Sequence, residues 1–380
     1  MKGIKIMKKI TFLMLHLNYG GIERQVTTLA NNLCNDYDIE IISLYNLLNG
    51  KSFYTLDPKI TVKYIFDFGP NKEEIKDALK KLKVFSFFKE LNKSIQILYT
   101  KYFGIKKILK NFNTDIIISS RIEFSRQIKK ERAITIAQEH SYIDNNKYIN
   151  KVKKSFNGID YLVVMTNKAK EEYEFWLKDT TNKPQVVVIP NMINPNNEKR
   201  KSNLNYNQII SIGRLEDIKD FSTLISIFYN IQKKNKNVIL KIIGDGSKRE
   251  ELKKLVNKLK INDKVIFTGR LQEEEINEEL LKSDVFVLTS KSESFSLVLC
   301  EAMNYGLPCV SFDINVGPKE IIFDKVNGYL IENRDIYKMQ EKIELLLNNY
   351  DIRKELGENA FQRAKAFYPD KIISMWKKLF

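Results

Sequence analysis

Val285–Phe312 reads VFVLTSKSESFSLVLCEAMNYGLPCVSF. Four apolar residues, Val285–Leu288, read as a buried strand. A polar loop containing Glu293 follows. A helix then begins near Ser296, carries Glu301 in its second turn and stops at Gly306. A second apolar run, Pro308–Phe312, reads as the next strand. Strand, crossover helix and strand in 28 residues make a parallel α/β unit, because parallel strands cannot be joined by a tight turn.

The same alternation runs outward in both directions. Upstream, strand segments are expected at Lys9–Leu15, Asp38–Leu44, Ile60–Ile65, Asp115–Ser119, Ala133–Ala137, Tyr161–Met165 and Gln185–Ile189, with helices at Gly21–Cys34 and Lys168–Leu177 among those between. Around and beyond the opening stretch, strands are expected at Gln208–Ile212, Val238–Ile243, Lys264–Phe267 and Gly328–Ile331. Runs such as IIIS and VIFTG are apolar on both faces, as in a sheet covered by helices on both sides. Between the two series lies Pro190–Asn207, with two prolines, seven asparagines and a charge cluster, which reads as an interdomain linker. The expected organisation is two doubly wound domains, 1–195 and 196–368, with a C-terminal helix at 369–380 crossing back onto the first. Ligands of such domains bind beyond the carboxyl ends of the strands, so two facing domains would form a cleft.

Composition narrows the function classes. The 380 residues are 43% hydrophobic and 29% charged, which excludes a disordered chain. No uncharged apolar run approaches the roughly 18–20 residues of a membrane span. The opening MKGIKIMKKITFLML is basic then apolar, but no small-residue cleavage site follows it; it reads as a first strand, with Met7 as an alternative start. Three cysteines (Cys34, Cys300, Cys309) form no C-x-x-C pair, and the chain has two histidines. That composition fits free thiols in the cytoplasm and excludes a His-rich metal centre. The net charge is +16. Up to Pro195 there are 32 basic and 20 acidic residues; beyond it there are 31 and 27. The first half therefore carries most of a field that attracts nucleic acid, anionic headgroups or phosphorylated substrates.

Within that half, Lys72–Lys110 holds eleven lysines and four acids, interleaved with Phe85, Phe87, Phe88, Tyr99, Tyr102 and Phe103. It reads either as solvated helices with aromatics in the core or as an interfacial segment that seats aromatics in a bilayer surface. No nucleic-acid recognition module accompanies it, so nucleic acid is not an expected partner.

Four places can carry chemistry. In SIGRLEDIKDF, Arg214 and Lys219 leave the tip of strand Gln208–Ile212, before a helix that Asp220 or Ser222 could cap. Two such cations can converge on a diphosphate, although an Arg and a Lys five apart are also common on surfaces. In the opening stretch, the amides of Phe295, Ser296 and Leu297 lie at a helix N-terminus, a ready anion site. Glu301 leans back toward it and could grip a vicinal diol, while Glu293 could take a sugar hydroxyl; a capped helix with surface glutamates is the plainer alternative. Third, Gly20-Gly21 in HLNYGGIERQ lets a backbone approach a ligand closely. This is not G-x-G-x-x-G, and no acid ends the second strand, which argues against a dinucleotide dehydrogenase. Gly244–Ser247 (GDGS) reads first as a tight turn. Fourth, His140 stands just past a strand, and so does His16, which has no assignable role.

Taken together and in order, GGIERQ, Glu139-His140, IPNMI, GRLEDIK, the GDG turn, FTGR, S-x-x-E-S-F-S-L-V-L-C-E-A-M-N-Y-G-L-P, GPKEII and NGYL resemble the retaining glycosyltransferase family 4 of GT-B fold, with Glu293 and Glu301 at that family's spacing. The resemblance covers nearly the whole chain, more strongly after Gln208. It implies two Rossmann-like domains facing across a cleft, the first binding an acceptor and the second a nucleotide sugar. It implies that Arg214 and Lys219 bind and stabilise the departing diphosphate, Glu301 the ribose and Glu293 the hexose. The amides of Phe295, Ser296 and Leu297 would surround the sugar and phosphate, Arg270 of FTGR would lie near the base, His140 near the reacting carbon, and Gly20 and Gly21 toward phosphate and acceptor. Ser296 departs from the family, which often has Gly there, as does Met192.

Neither a metal nor an organic cofactor is implied. The D-x-D at Asp36–Asp38 precedes a strand instead of ending one and reads as a turn. Breaking the anomeric bond builds negative charge on the nucleoside diphosphate, which fixed cations stabilise. The expected activity is hexosyl transfer from a nucleotide sugar, UDP foremost, to a saccharide acceptor, lipid-linked in view of the basic first half. The expected setting is cell-surface polysaccharide assembly (capsule, exopolysaccharide or lipopolysaccharide) by a cytoplasmic enzyme peripheral to an anionic inner membrane face. The rivals are a nucleotide-sugar epimerase of the same fold, or a basic non-enzymatic protein binding nucleic acid or membrane.

Overall fold

The β-branched runs that punctuate the chain become strands, and most are covered on both faces; VIFTG is not, because it lies at a sheet edge with Ile266 41% exposed. A computed structural model describes residues 7–110, 113–128, 132–140, 143, 145–196 and 199–380. Seven strands form the first sheet: β1 (Lys9–Met14), β2 (Asp38–Tyr45), β3 (Thr61–Phe66), β4 (Ile116–Ser119), β5 (Ile134–Gln138), β6 (Tyr161–Val164) and β7 (Gln185–Val188). Six form the second: β8 (Gln208–Ile212), β9 (Ile239–Ile243), β10 (Val265–Gly269), β11 (Val285–Leu288), β12 (Cys309–Asp313) and β13 (Gly328–Glu332). Central β2 is buried after its first residue, whereas edge β3, with Lys63 among its side chains, is only partly covered.

The strand orders are β3-β2-β1-β4-β5-β6-β7 and β10-β9-β8-β11-β12-β13, and every pairing is parallel. Each order reverses once, between β1 and β4 in the first sheet and between β8 and β11 in the second. At a reversal the connecting helices leave to opposite faces, and the strand tips open a crevice for ligands. The chain divides into two compact units: 1–165, 169–189 and 373–380 form one, and 166–168 with 190–372 form the other. In the second unit, Ile209, Leu240, Val287 and Val310 of the sheet pack with Leu224, Phe228 and Ile231 of helix Phe221–Lys234 and with Met339, Ile343 and Leu346 of helix Ile336–Asn348. In the first, Trp376 of helix Pro369–Lys377 is buried, Lys377 bonds Asp36 at 2.6 Å, and Phe380 meets the Tyr37 ring edge-on.

The stretch Pro190–Asn207, an interdomain linker by composition, belongs to the second unit and is partly buried. Met192, Ile193 and Leu204 are buried. Asn196 Nδ2 donates to Asn304 O (3.0 Å), Ser202 Oγ donates to Ser283 O (2.6 Å), and Arg353 Nη2 donates to Leu204 O (2.6 Å). Side chains of the stretch thus satisfy carbonyls of the second unit, and Arg353 of that unit satisfies a carbonyl of the stretch.

The lysine-rich segment folds as helices Lys72–Lys80 and Val84–Tyr99, a π-helical turn at Thr100–Gly104 and helix Ile105–Leu109. Its aromatics are not core. Phe85 is 86% exposed, Phe103 65%, Phe88 61% and Tyr99 60%, and Leu82 before the second helix is 86% exposed. Among the described residues no helix is long and apolar enough to cross a membrane.

Candidate functional site

In the second unit the chain leaves β8 through Gly213–Lys219. This turn lies against the GDG turn after β9: Gly213 N donates to Ile243 O (3.0 Å), Leu215 N to Asp245 O (3.1 Å) and Lys248 N to Leu215 O (2.9 Å). Gly244 sits at φ +136°, and a Cβ there would lie 1.9 Å from Gly213 O, so the close approach requires glycine. Lys219 closes a short 3₁₀ turn, Asp217–Lys219. Its Nζ lies 2.5 Å from Glu293 Oε1, and Ser290 Oγ donates to the same oxygen at 2.7 Å. The two charged side chains are 18% and 10% exposed. The reversal in strand order, by making β8 and β11 neighbours, brings together residues 74 apart in sequence. An ammonium has three donors and the bond to Glu293 uses one, so Lys219 can serve a further acceptor while held in place.

Arg214, on the same turn, is exposed. Helix Leu297–Asn304 begins after Ser296, as the sequence indicates. Ser296 has left-handed backbone (φ 80°, ψ 68°), is 6% exposed, and its Oγ is buried without a hydrogen-bond partner. The Phe295 ring is core, edge-on to Phe367 at 5.5 Å, which leaves only its backbone for a ligand. Leu297 and Glu301 lie on the half-buried face of the helix. Arg270 follows β10, the edge strand two places from β8, and is exposed.

One expected role changes. Asp220 occupies the N-cap of helix Phe221–Lys234 but makes no side-chain bond to the helix amides, and Ser222 is not the cap. The left-handed backbone at Asp220 (φ 48°, ψ 48°) departs from the extended geometry a capping side chain needs. Its carboxylate instead accepts from Ser222 Oγ, Thr223 Oγ1 and Arg334 Nη1, each at 2.8 Å. Arg334, after β13, escapes sequence reading because IENRDIY carries no motif. It also donates to Thr289 O (3.1 Å) and Ser290 O (3.0 Å), and its guanidinium lies 4.7 Å from the centre of the Phe312 ring.

In the first unit, the tips of β1, β4 and β5 gather a second set. Gly20 precedes helix Gly21–Leu33, and Glu23 in the first turn is 3% exposed. Arg121 Nη2, past β4, donates to Glu23 Oε1 at 3.2 Å, and His16 Nδ1, past β1, stands 3.6 Å from that oxygen. A Cβ on Gly20 would lie 2.0 Å from Glu23 Oε2, so this glycine makes room for a carboxylate of the protein itself. At Gly21 a Cβ would meet nothing within 4 Å. His140, past β5, has Nε2 buried without a partner. Burial first, and then the Arg121 cation, push its pKa down to about 3, so the ring is neutral near pH 7. Burial also lowers the pKa of His16, against the pull of Glu23. Sequence reading misses Glu23 and Arg121: Glu23 lies inside the GGIERQ motif without a role of its own, and Arg121 carries no signal beyond its place after an apolar run.

Among the described residues no three His, Cys, Asp or Glu side chains converge as a metal-holding group. Asp36 of the D-x-D is engaged by Lys377.

Residues 193–363 match the family model described as glycosyl transferases group 1. Over 98% of its length the chain is 29% identical to a Campylobacter jejuni enzyme, GalNAc-alpha-(1->4)-GalNAc-alpha-(1->3)-diNAcBac-PP-undecaprenol alpha-1,4-N-acetyl-D-galactosaminyltransferase, and covers 98% of it. It is 28% identical, again over 98% of its length, to an exopolysaccharide phosphotransferase of Streptomyces coelicolor, but spans only 40% of that protein. A TarM variant of S. aureus, solved with fondaparinux, alpha-GlcNAc-glycerol and UDP, superposes with a TM-score of 0.75 at 18% identity, covering 98% of this chain and 99% of TarM. The fold is therefore GT-B, and the chain carries over residues 193–363 the sequence pattern of the glycosyl transferases group 1.

Proposed function

We propose that the chain is a retaining, metal-independent glycosyltransferase that moves a hexose-type sugar from a nucleotide sugar, UDP-linked foremost, to a lipid-linked saccharide in cell-surface polysaccharide assembly. The observation that carries the reading is the Lys219–Glu293 pair at the β8/β11 reversal, a cation and a carboxylate side by side, with Glu293 in the loop that leads into helix Leu297–Asn304. Arg214 and Lys219 neutralise the departing diphosphate, Arg as a fork of donors and Lys as a point charge. Glu293 fixes Lys219 and takes a sugar hydroxyl; Glu301 holds the ribose, the backbone of Phe295–Leu297 surrounds the phosphate and sugar, and Arg270 lies near the base. In the first unit, neutral His140 offers an uncharged ring to the reacting carbon, and the Gly20-Gly21 turn faces the acceptor. The leaving phosphate takes the acceptor proton in same-face attack.

The names of the relatives support the acceptor class: the C. jejuni enzyme acts on an undecaprenol-linked glycan, and the S. coelicolor protein is named for exopolysaccharide. The exposed Phe85, Phe88, Tyr99 and Phe103 among lysines support an anionic inner membrane surface as partner. The test is a donor screen with a lipid-linked acceptor, read by product mass, beside thermal stabilisation by UDP. UDP should raise the melting temperature of the wild type. Arg214→Ala should weaken UDP binding by about 10–100-fold, the worth of a charged hydrogen bond. A wild type indifferent to UDP and GDP alike removes the nucleotide-sugar reading.

A further inference from the structure

Three tips of the second sheet converge on one side chain outside every motif. Arg334 donates to the Asp220 carboxylate (2.8 Å), to Thr289 O (3.1 Å) and to Ser290 O (3.0 Å). Each partner lies one step from the charged pair. Asp220 follows Lys219 in the chain. Ser290 bonds Glu293 through its hydroxyl. Thr289 Oγ1 closes the circuit by donating to Lys219 O (3.2 Å) and Asp220 O (3.0 Å). The guanidinium thus spans the β8 loop and the β11 loop, which are otherwise joined by the Lys219–Glu293 bond, the Thr289 hydroxyl and a backbone bond from Lys291 N to Ile218 O (2.7 Å). The cation rests on Phe312, which limits its freedom to swing away.

The backbone at Arg334 is left-handed. Its φ is +70°, a region that glycine occupies freely and that other residues enter at a modest cost, as Lys260 and Lys325 also do in this chain. The position therefore suits glycine sterically, so a glycine there removes the side chain without straining the backbone.

We propose that Arg334 is a positioning residue for the donor site: it locks the β8 and β11 loops in the register that sets Lys219 against Glu293, without touching the ligand itself. This rests on the nucleotide-sugar reading for its consequence, though not for its geometry. Two loops held at a fixed spacing present their cation at a constant place to a diphosphate, so no ordering of the loops is required on binding.

The experiment compares wild type, Arg334→Gly, Arg334→Lys and a control, Arg353→Gln. Arg334→Gly deletes the clasp at a φ that glycine adopts freely, and Arg334→Ala carries the same exchange test where the glycine variant does not fold. Arg353 is a buried arginine of the same unit that bonds Leu204 O and Leu347 O, away from the strand tips. Hydrogen exchange without ligand reads the loops directly. Arg334→Gly should speed exchange of amides within 217–223 and 289–296 by at least tenfold and leave the rest of the unit unchanged. UDP affinity should fall about tenfold, with Arg334→Lys recovering part of it, while Arg353→Gln should lower the melting temperature and leave UDP affinity intact. Unchanged exchange in Arg334→Gly overturns the clasp. Faster exchange with UDP affinity within twofold of wild type overturns its role in the site. A wild type that ignores UDP defeats the nucleotide reading, and the exchange arm still decides the clasp.

Discussion

At the scale of the residue, the site is decided by how charges are paired when water is scarce. Glu293 is 10% exposed and accepts from Lys219 and Ser290, so deleting Lys219 would leave a carboxylate with one hydroxyl. Breaking one side of a buried pair costs about 3–5 kcal/mol, and removing both charges costs much less. Lys219→Ala should therefore destabilise the chain more than Lys219→Ala with Glu293→Gln, measured by urea denaturation; equal or additive losses would show that the bond contributes little. His140 gives a pH signature. Its folded pKa, about 3, lies below the ordinary 6.5, so the unfolded chain binds the proton more readily. The contribution is present in full above pH 6.5 and is lost as pH falls from there toward 3, at about 1.4 kcal/mol per pH unit in the steep part. His140→Gln should flatten the melting temperature between pH 6.5 and 4; an unaltered slope would place the acid sensitivity elsewhere. Motif reading could name Lys219, Glu293 and His140 singly. It could not see that Lys219 and Glu293 bond, because nothing in a sequence records a contact across 74 residues.

At the scale of the element, turns explain more than helices. The strands were legible from their apolar runs, which a strand covered on both faces favours, although buried β2 still carries Glu40. What each glycine does was not legible, because the same residue type answers to different neighbours. Gly244 faces Gly213 O at a distance no Cβ can occupy and has a positive φ, while a Cβ on Gly21 would face open space. Gly244→Ala should cost more than about 1 kcal/mol and disturb the Arg214 turn packed against it. Gly21→Ala should leave stability within about 0.5 kcal/mol, as a surface change away from any packed feature. If Gly21 faces substrate, its added methyl instead lowers kcat/KM at unchanged melting temperature. Thermal denaturation of the two variants beside a turnover assay separates these cases, and equal stability losses would contradict the geometry of both turns. The Pro190–Asn207 stretch teaches the same lesson in reverse: asparagine and proline mark irregular backbone, but whether that backbone is solvated depends on the surface it meets, here Ser283, Asn304 and Arg353.

At the scale of the whole molecule, the charge of +16 has a geometry that composition alone left open. Interleaved lysines and aromatics are equally consistent with buried rings under a solvated face and with rings turned outward; only tertiary packing separates the two. In the folded chain, nine of the eleven lysines of Lys72–Lys110 are exposed, and the rings of Phe85, Phe88, Tyr99 and Phe103 are exposed with them. On helix Val84–Tyr99 the positions Phe85, Phe88, Ile95 and Tyr99 follow helical spacing and so share a face. A soluble surface gains nothing from such a stripe, whereas a bilayer surface rewards both components. Each lysine near anionic headgroups is worth about 1 kcal/mol, and each seated phenylalanine about 1.5–3 kcal/mol. The electrostatic part is screened within about 10 Å at 0.1 M salt and the apolar part is not. Sedimentation with vesicles should therefore resolve two stages. Wild type should bind phosphatidylglycerol-rich vesicles at low salt and lose much of that binding at 0.5 M salt. Phe85→Ser with Phe88→Ser should lose at least tenfold in affinity at either salt, while Lys80→Gln with Lys81→Gln and Lys83→Gln should lose binding chiefly at low salt. Equal binding by all three proteins would separate the exposed stripe from any membrane and remove the membrane surface from the proposed setting.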